Sequence, residues 1–210
     1  MTEHNTSTIK RAVIFDFGGV LVRTVDYTPR YQWDDRLGLP HGSVERAVHG
    51  SDAWRQAQTG HISPAQYWSS VAAALGLDSA ALADLRRDFF NGDRLDTDLI
   101  ALIRELRLAG HVVGLLSNDT LDLLDRLRTL GIDGLFDPLL ISAALGTMKP
   151  DPPAYHALLA ALRRPAAEVI FIDDLPANAA GAQELGIRAI HYTAGMDVRA
   201  VLAPLLAGRR

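Results

Sequence analysis

The chain contains no cysteine, which excludes disulfides, thiolate-ligated zinc and thiol catalysis. Its seven histidines include no His-x-His or His-x-x-x-His pair, so a metal site built from neighbouring imidazoles has no local basis. The net charge of −4 comes with no basic cluster, and the electrostatic footprint of a nucleic-acid partner is missing. No apolar run reaches the ~18 residues of a membrane span, and Met1 to Thr8 lacks the basic-then-apolar order of a signal peptide. The expectation is a soluble, cytoplasmic protein with no membrane or nucleic-acid partner, working as a monomer or homodimer.

What is present is ordinary in amount and informative in order. Apolar residues make up 48% of 210, enough for one α/β domain with a core and a smaller insertion. After a tail over 1–9 that reads as disordered, Ala12-Val13-Ile14-Phe15-Asp16-Phe17-Gly18-Gly19 is an apolar strand ending on one carboxylate and two glycines. Strands buried on both faces of a parallel sheet read this way, and open α/β sheets bind ligands at the carboxyl ends of their strands.

From Arg23 to Arg94 the texture turns helical. Ser63-Pro64-Ala65-Gln66 has the N-cap, the first-turn proline and the returning glutamine of a capping box, and Asp78 is placed to cap the next helix. From Asp96 onward strand and helix alternate, with strands at 111–116, 139–142, 168–172 and 188–192. The pattern predicts a doubly wound, Rossmann-like parallel sheet over 10–22 and 95–210, interrupted by a small helical insertion over 23–94.

Three strands end in polar groups: Asp16, Ser117-Asn118-Asp119, and Asp173-Asp174. Lys149, in Gly146-Thr147-Met148-Lys149-Pro150, lies just beyond another strand end. Each has a plainer reading alone: helix capping for Asp174, a turn for Ser117-Asn118, a solvated loop for Lys149. Together, a parallel sheet converges them on one crevice. Two carboxylates about 4 Å apart repel by roughly 4 kcal/mol at an effective dielectric near 20, so one protonates or a cation binds between them. Oxygen donors without histidine favour Mg²⁺. Ser117 and Lys149 would hold phosphate oxygens as hydrogen bond and point charge, an arrangement suited to phosphoryl transfer.

In this order the motifs resemble the haloacid dehalogenase superfamily of aspartyl phosphatases, over essentially the whole chain from Lys10. In that family an apolar strand ends in Asp-x-Asp, a second in Ser or Thr, a Lys follows in a Lys-Pro-Asp-Pro context, and a further strand ends in paired Asp. Here these are Asp16, Ser117-Asn118, Lys149-Pro150-Asp151-Pro152 and Asp173-Asp174. The insertion resembles the small helical C1-type cap of its subfamily IA.

The resemblance implies that Asp16 is the nucleophile forming an aspartyl-phosphate, with Ser117 and Lys149 as its catalytic partners. It implies that Asn118 and Gly19 join them in binding the phosphate of a small phosphate ester. Mg²⁺ would be held by Asp16, the Gly18 carbonyl and Asp173, with Asp174 binding or orienting the metal site. The family's second Asp, which serves as general acid and base, is Gly18 here. Glucose-1-phosphate phosphatases are similar in having Asp-x-Gly-Gly, and also in the stretch Gly60-His61-Ile62-Ser63 followed by Tyr67-Trp68.

Three functions stay open on this reading. The first is a Mg²⁺-dependent phosphatase for a sugar phosphate or similar metabolite; the second is a 2-haloacid dehalogenase; the third is a catalytically weak phosphometabolite-binding protein. Trp33, Trp54, Tyr67 and Trp68 line either the substrate pocket or the core of the insertion. Arg23, Asp26 and His41 are substrate contacts or solvated loop residues.

Overall fold

A computed structural model describes residues 10–207; the tail assigned to 1–9 lies outside them. Five strands, β1 (Ala12–Phe15), β4 (Val112–Ser117), β5 (Leu139–Ile141), β6 (Val169–Asp173) and β7 (Arg188–His191), form one sheet in the order β5-β4-β1-β6-β7. Every pairing in it is parallel. The α/β class expected from the alternating pattern is the class observed.

Because strand side chains alternate between faces, β1 feeds two cores. Val13 and Phe15 pack with Leu102, Ile103 and Leu106 of α6 (Thr97–Leu108) and with Leu123 and Leu127 of α7 (Asp122–Thr129). Ala12 and Ile14 pack on the other face with Tyr155 and Leu158 of α9 (Pro152–Leu162) and Ala182 of α10 (Pro176–Glu184). All four β1 residues are fully buried, which is why the sequence shows a continuous apolar run rather than alternation. A final helix, α11 (Val198–Leu206), closes the first core through Val198 and Leu202.

The register aligns the strand ends. Phe15 stands opposite Leu115 and Ile172, and the Asp16 amide donates to the Ile172 carbonyl at 2.9 Å. Asp16 therefore leaves the sheet beside the last residues of β4 and β6. A single short helix, α8 (Ser142–Leu145), follows β5 directly.

Between β1 and α6 the chain forms α1 (Thr28–Arg36), α2 (Ser43–His49), α3 (Asp52–Gln58), α4 (Pro64–Leu75) and α5 (Ser79–Phe89). The capping box of α4 is present: Ser63 Oγ accepts from the Gln66 amide and Gln66 Oε1 accepts from the Ser63 amide. Asp78 caps α5 by accepting from the Ala81 amide. Trp33, Val44, Tyr67, Trp68, Val71, Leu85 and Phe89 give these helices a core of their own. A two-stranded antiparallel ribbon, β2 (Val22–Thr24) with β3 (Asp93–Leu95), joins them to the sheet. Three residues per strand are too few to show alternation, so the ribbon carries no sequence signal.

Two contacts seat the helices on the strand ends. Gln58 Nε2 donates to the Asn118 carbonyl at 2.9 Å. Gly60, at φ +72°, lies so close to α8 that a Cβ there would stand 2.3 Å from the Ala143 carbonyl oxygen. Only glycine tolerates both the left-handed backbone and that approach. Gly60→Ala is expected to destabilise the protein by roughly 1–3 kcal/mol, read as a lower urea midpoint with an unchanged slope.

Candidate active site

The turn after β1 is built from glycines for a geometric reason. The Leu21 and Val22 amides donate back to the Phe17 carbonyl, and the Gly19 amide donates to the Val22 carbonyl at 2.9 Å. Gly19 adopts φ +77°, and a Cβ on it would fall 2.0 Å from Asp174 Oδ2. The glycine backbone thus forms the surface against which the Asp174 carboxylate rests. Gly18 has nothing within 4 Å of an added Cβ; it faces the cleft.

Lys149 reaches this turn from below. Its side chain is wholly buried, with Nζ 2.9 Å from Asp16 Oδ1 and 2.6 Å from Asp173 Oδ2. Asn118 holds it there with both ends of its amide: Nδ2 donates to the Lys149 carbonyl at 2.7 Å and Oδ1 accepts from the Lys149 amide at 2.8 Å. The Asn118 side chain, expected at the phosphate, is directed to the lysine backbone instead. Ser117, at the end of β4, lines the cleft.

The acidic pair divides its work. Asp173 is fully buried, and besides Lys149 it accepts from the Leu175 amide at 2.9 Å and, on both carboxylate oxygens, from Asn178 Nδ2 at 3.0 and 3.1 Å. Asn178 is itself anchored where its carbonyl accepts from Tyr155 Oη at 2.7 Å. Asp174, by contrast, lines the cleft. Neither Asn178 nor Tyr155 figures in the sequence motifs; the only local sign is an asparagine one helical turn after an acidic strand end.

Asp16, Asp173 and Asp174 offer carboxylate oxygens within 4.8 Å of one another. Burial raises the Asp16 carboxyl to about 7, against the opposing pull of Lys149, and also raises Asp174. Crowded, desolvated carboxylates of this kind are short of positive charge. The donor set is all hard oxygen, and it fits a divalent cation such as Mg²⁺.

Above the strand ends lies a cleft of about 1850 Å³, walled on the far side by the helical insertion. Trp54, Tyr67, Trp68 and Arg23 line it, Tyr67 and Trp68 while also serving as core. Trp33 is core alone. Arg23 pairs with Asp96 and with Tyr192 Oη. Asp26 is exposed and accepts from the Thr28 amide, and His41 is exposed, paired with Asp35 and stacked on Tyr31; neither lines the cleft.

A parallel sheet flanked by helices thus gathers a buried lysine and three carboxylates at its strand ends under a helical roof. The chain belongs to the haloacid dehalogenase-like hydrolases: the model of that family matches residues 10–186. It is 30% identical to the sesquiterpene phosphatase astK of Aspergillus oryzae, over 87% of this chain and 90% of that one. It is 35% identical to phosphatase MT3486 of Mycobacterium tuberculosis, over 85% of each. A HAD family enzyme of Bacteroides thetaiotaomicron, solved as a magnesium complex, superposes with a TM-score of 0.76 at 25% identity, covering 93% of this chain and 99% of that one. No helix among the described residues is long and apolar enough to cross a membrane.

Removing the glycine surface tests the metal site. Gly19→Ala drives a methyl into the Asp174 carboxylate and is expected to weaken Mg²⁺ binding roughly 10–100-fold, measured by titration calorimetry. The same methyl at Gly18 enters open space and is expected to cost far less.

Proposed function

We propose that this protein is a Mg²⁺-dependent phosphatase of small phosphate monoesters, with Asp16 as nucleophile. One observation carries the reading: both contacts of Asp16, to Lys149 Nζ and the Phe17 amide, fall on Oδ1, so Oδ2 is the oxygen presented to the cleft. The two phosphatase relatives support it.

In this reading Asp16 Oδ2 attacks phosphorus, the phosphorus–ester oxygen bond breaks, and water later cleaves the aspartyl-phosphate at phosphorus to release inorganic phosphate. Lys149 orients the nucleophile and supplies positive charge next to the phosphoryl group, Ser117 donates a hydrogen bond to it, and Asp173 keeps Lys149 in place. Asn118 acts by holding the lysine backbone. Asp16, the Gly18 carbonyl and Asp174 would hold the metal, with Asp173 beside them. When bound, Mg²⁺ neutralises charge on the carboxylates and on the phosphoryl oxygens. We read the helices over 23–94 as a cap on a core formed by 10–22 and 95–210.

The first motif's likeness to glucose-1-phosphate phosphatases supports a sugar phosphate as substrate. A second reading, an isoprenoid alcohol's phosphate, is favoured by the aromatic wall of Trp54, Tyr67, Trp68 and Phe90 and by the sesquiterpene phosphatase relative. A 2-haloacid dehalogenase would leave the metal-fitting carboxylates without a task.

Inorganic phosphate release, assayed over sugar phosphates and farnesyl phosphate, is expected to stop with EDTA and to return with excess Mg²⁺. Asp16→Asn is expected to lose at least ~10³-fold in kcat. Turnover that persists in this variant, or halide release from 2-haloacids, would contradict the assignment.

A further inference from the structure

Gly18 leaves the departing ester oxygen without a proton donor on the turn after β1. The opposite wall of the cleft carries one. On α2, Glu45 and His49 lie one helical turn apart, with Glu45 Oε1 2.8 Å from His49 Nδ1. The second Glu45 oxygen pairs with Arg30, a guanidinium buried to 5% side-chain exposure that also donates to the Phe89 carbonyl at 3.1 Å and to Asp93 at 3.0 Å.

Burial pushes the Glu45 carboxyl up, but the hydrogen bond and charge of His49, and then Arg30, hold it below its ordinary value. An ionised carboxylate only accepts hydrogen bonds. Nδ1 of His49 therefore carries hydrogen, and Nε2 is the ring atom left for chemistry. The ring is wedged between Trp54 and Phe89, with centroids 5.0 and 5.2 Å away, and it lines the cleft that Asp16 lines from below.

Charged groups around His49 are Glu45 on its own helix, Arg30 of α1 bonded to that Glu45, and Asp119 from the loop after β4, which the charge of His49 reaches; Asp52, Arg55, Arg86, Asp122 and Arg126 line the same cleft. Asp119 stands two residues beyond Ser117, and both line the cleft that His49 lines. The other histidine lining the cleft, His191, has Nε2 tied to the Asp174 carbonyl at 3.0 Å. No described residue occupies Nε2 of His49.

We propose that His49, oriented by Glu45, is the catalytic acid and base that replaces the missing side chain at Gly18; the proposal rests on the phosphatase reading. As Asp16 Oδ2 bonds to phosphorus and the phosphorus–ester oxygen bond breaks, the Nε2 proton of the imidazolium passes to the ester oxygen, which leaves as the alcohol. The neutral imidazole then takes a proton from the water that attacks phosphorus. The Asp16–phosphorus bond breaks, and carboxylate, imidazolium and hydrogen phosphate are restored in balance. Glu45 holds Nδ1 and thereby fixes the tautomer and direction of the ring, a positioning role.

The test uses two esters in the presence of Mg²⁺: p-nitrophenyl phosphate, whose leaving group needs no proton, and a primary alkyl phosphate, whose leaving group does. His49→Gln is expected to lower the first-turnover rate of alcohol release from the alkyl ester roughly 10²–10⁴-fold while the first-turnover burst of p-nitrophenolate changes less than about tenfold. In the wild type, the first-turnover rate on the alkyl ester is expected to fall on the alkaline side as the imidazolium is lost, with no matching limb for the p-nitrophenolate burst. Equal losses on both esters, or superposable wild-type pH profiles, overturn the proposal, and the profiles do not depend on any variant folding. If the wild type releases phosphate but His49→Gln behaves like it, the role of His49 fails and the phosphatase reading stands. If the wild type releases phosphate from no ester, both fail.

Discussion

The structure is organised around an ammonium group with no access to water. Lys149 lies between Asp16 and Asp173, and each of those carboxylates would be costly to bury without it. Removing one partner from such a cluster leaves uncompensated charge worth on the order of 3–5 kcal/mol, so the three groups demand one another. Everything nearby serves to keep them together: Asn118 clamps the lysine backbone, and Asn178, itself held by Tyr155, fills the remaining demand of Asp173. The stability of the sheet ends and the placement of the Asp16 carboxylate are the same interaction.

That arrangement explains the shape of the cleft. The lysine takes one oxygen of Asp16, and Asp16 and Asp174 both line the cleft. The roof over them is a packed body with its own core, and some of its polar side chains are tied into ion pairs that line the cleft. Arg30, Glu45 and His49 form one such chain, and Asp93 links Arg30 to Arg126 of the sheet domain at 3.0 and 2.8 Å. Charge on the roof is thereby held against the ribbon that joins the two bodies. Phe17, next to Asp16, lies under the same Arg126.

Much of this was legible in residue order. Runs of apolar residues ending in carboxylates, glycines closing helices, and the Ser63 capping box gave elements whose bounds agree with the structure within a residue or two. The β2–β3 ribbon escaped because three-residue strands have no period to detect. In the site, the residue types were visible but their assignments were not. Asn118 sits in a motif that pointed to phosphate, yet its amide matches the two backbone groups of Lys149, and only the approach of a distant loop brings those groups within reach. His49 carried a weak signal, a glutamate four residues before a histidine on a helix, which by itself describes an ordinary surface pair.

The sequence alone determined that acidic, hydroxyl and ammonium groups stand at the ends of neighbouring buried strands, because apolar runs and strand alternation place them there whatever the details of packing. Tertiary structure alone decided which group meets which. Adjacent residues leave a strand in opposite directions, so whether Asp173 or Asp174 faces the cleft depends on the register of β6 against β1. The same holds for the helices above, whose His49 came to line the same cleft as Asp16 only through the way the insertion is seated on Asn118 and Ala143.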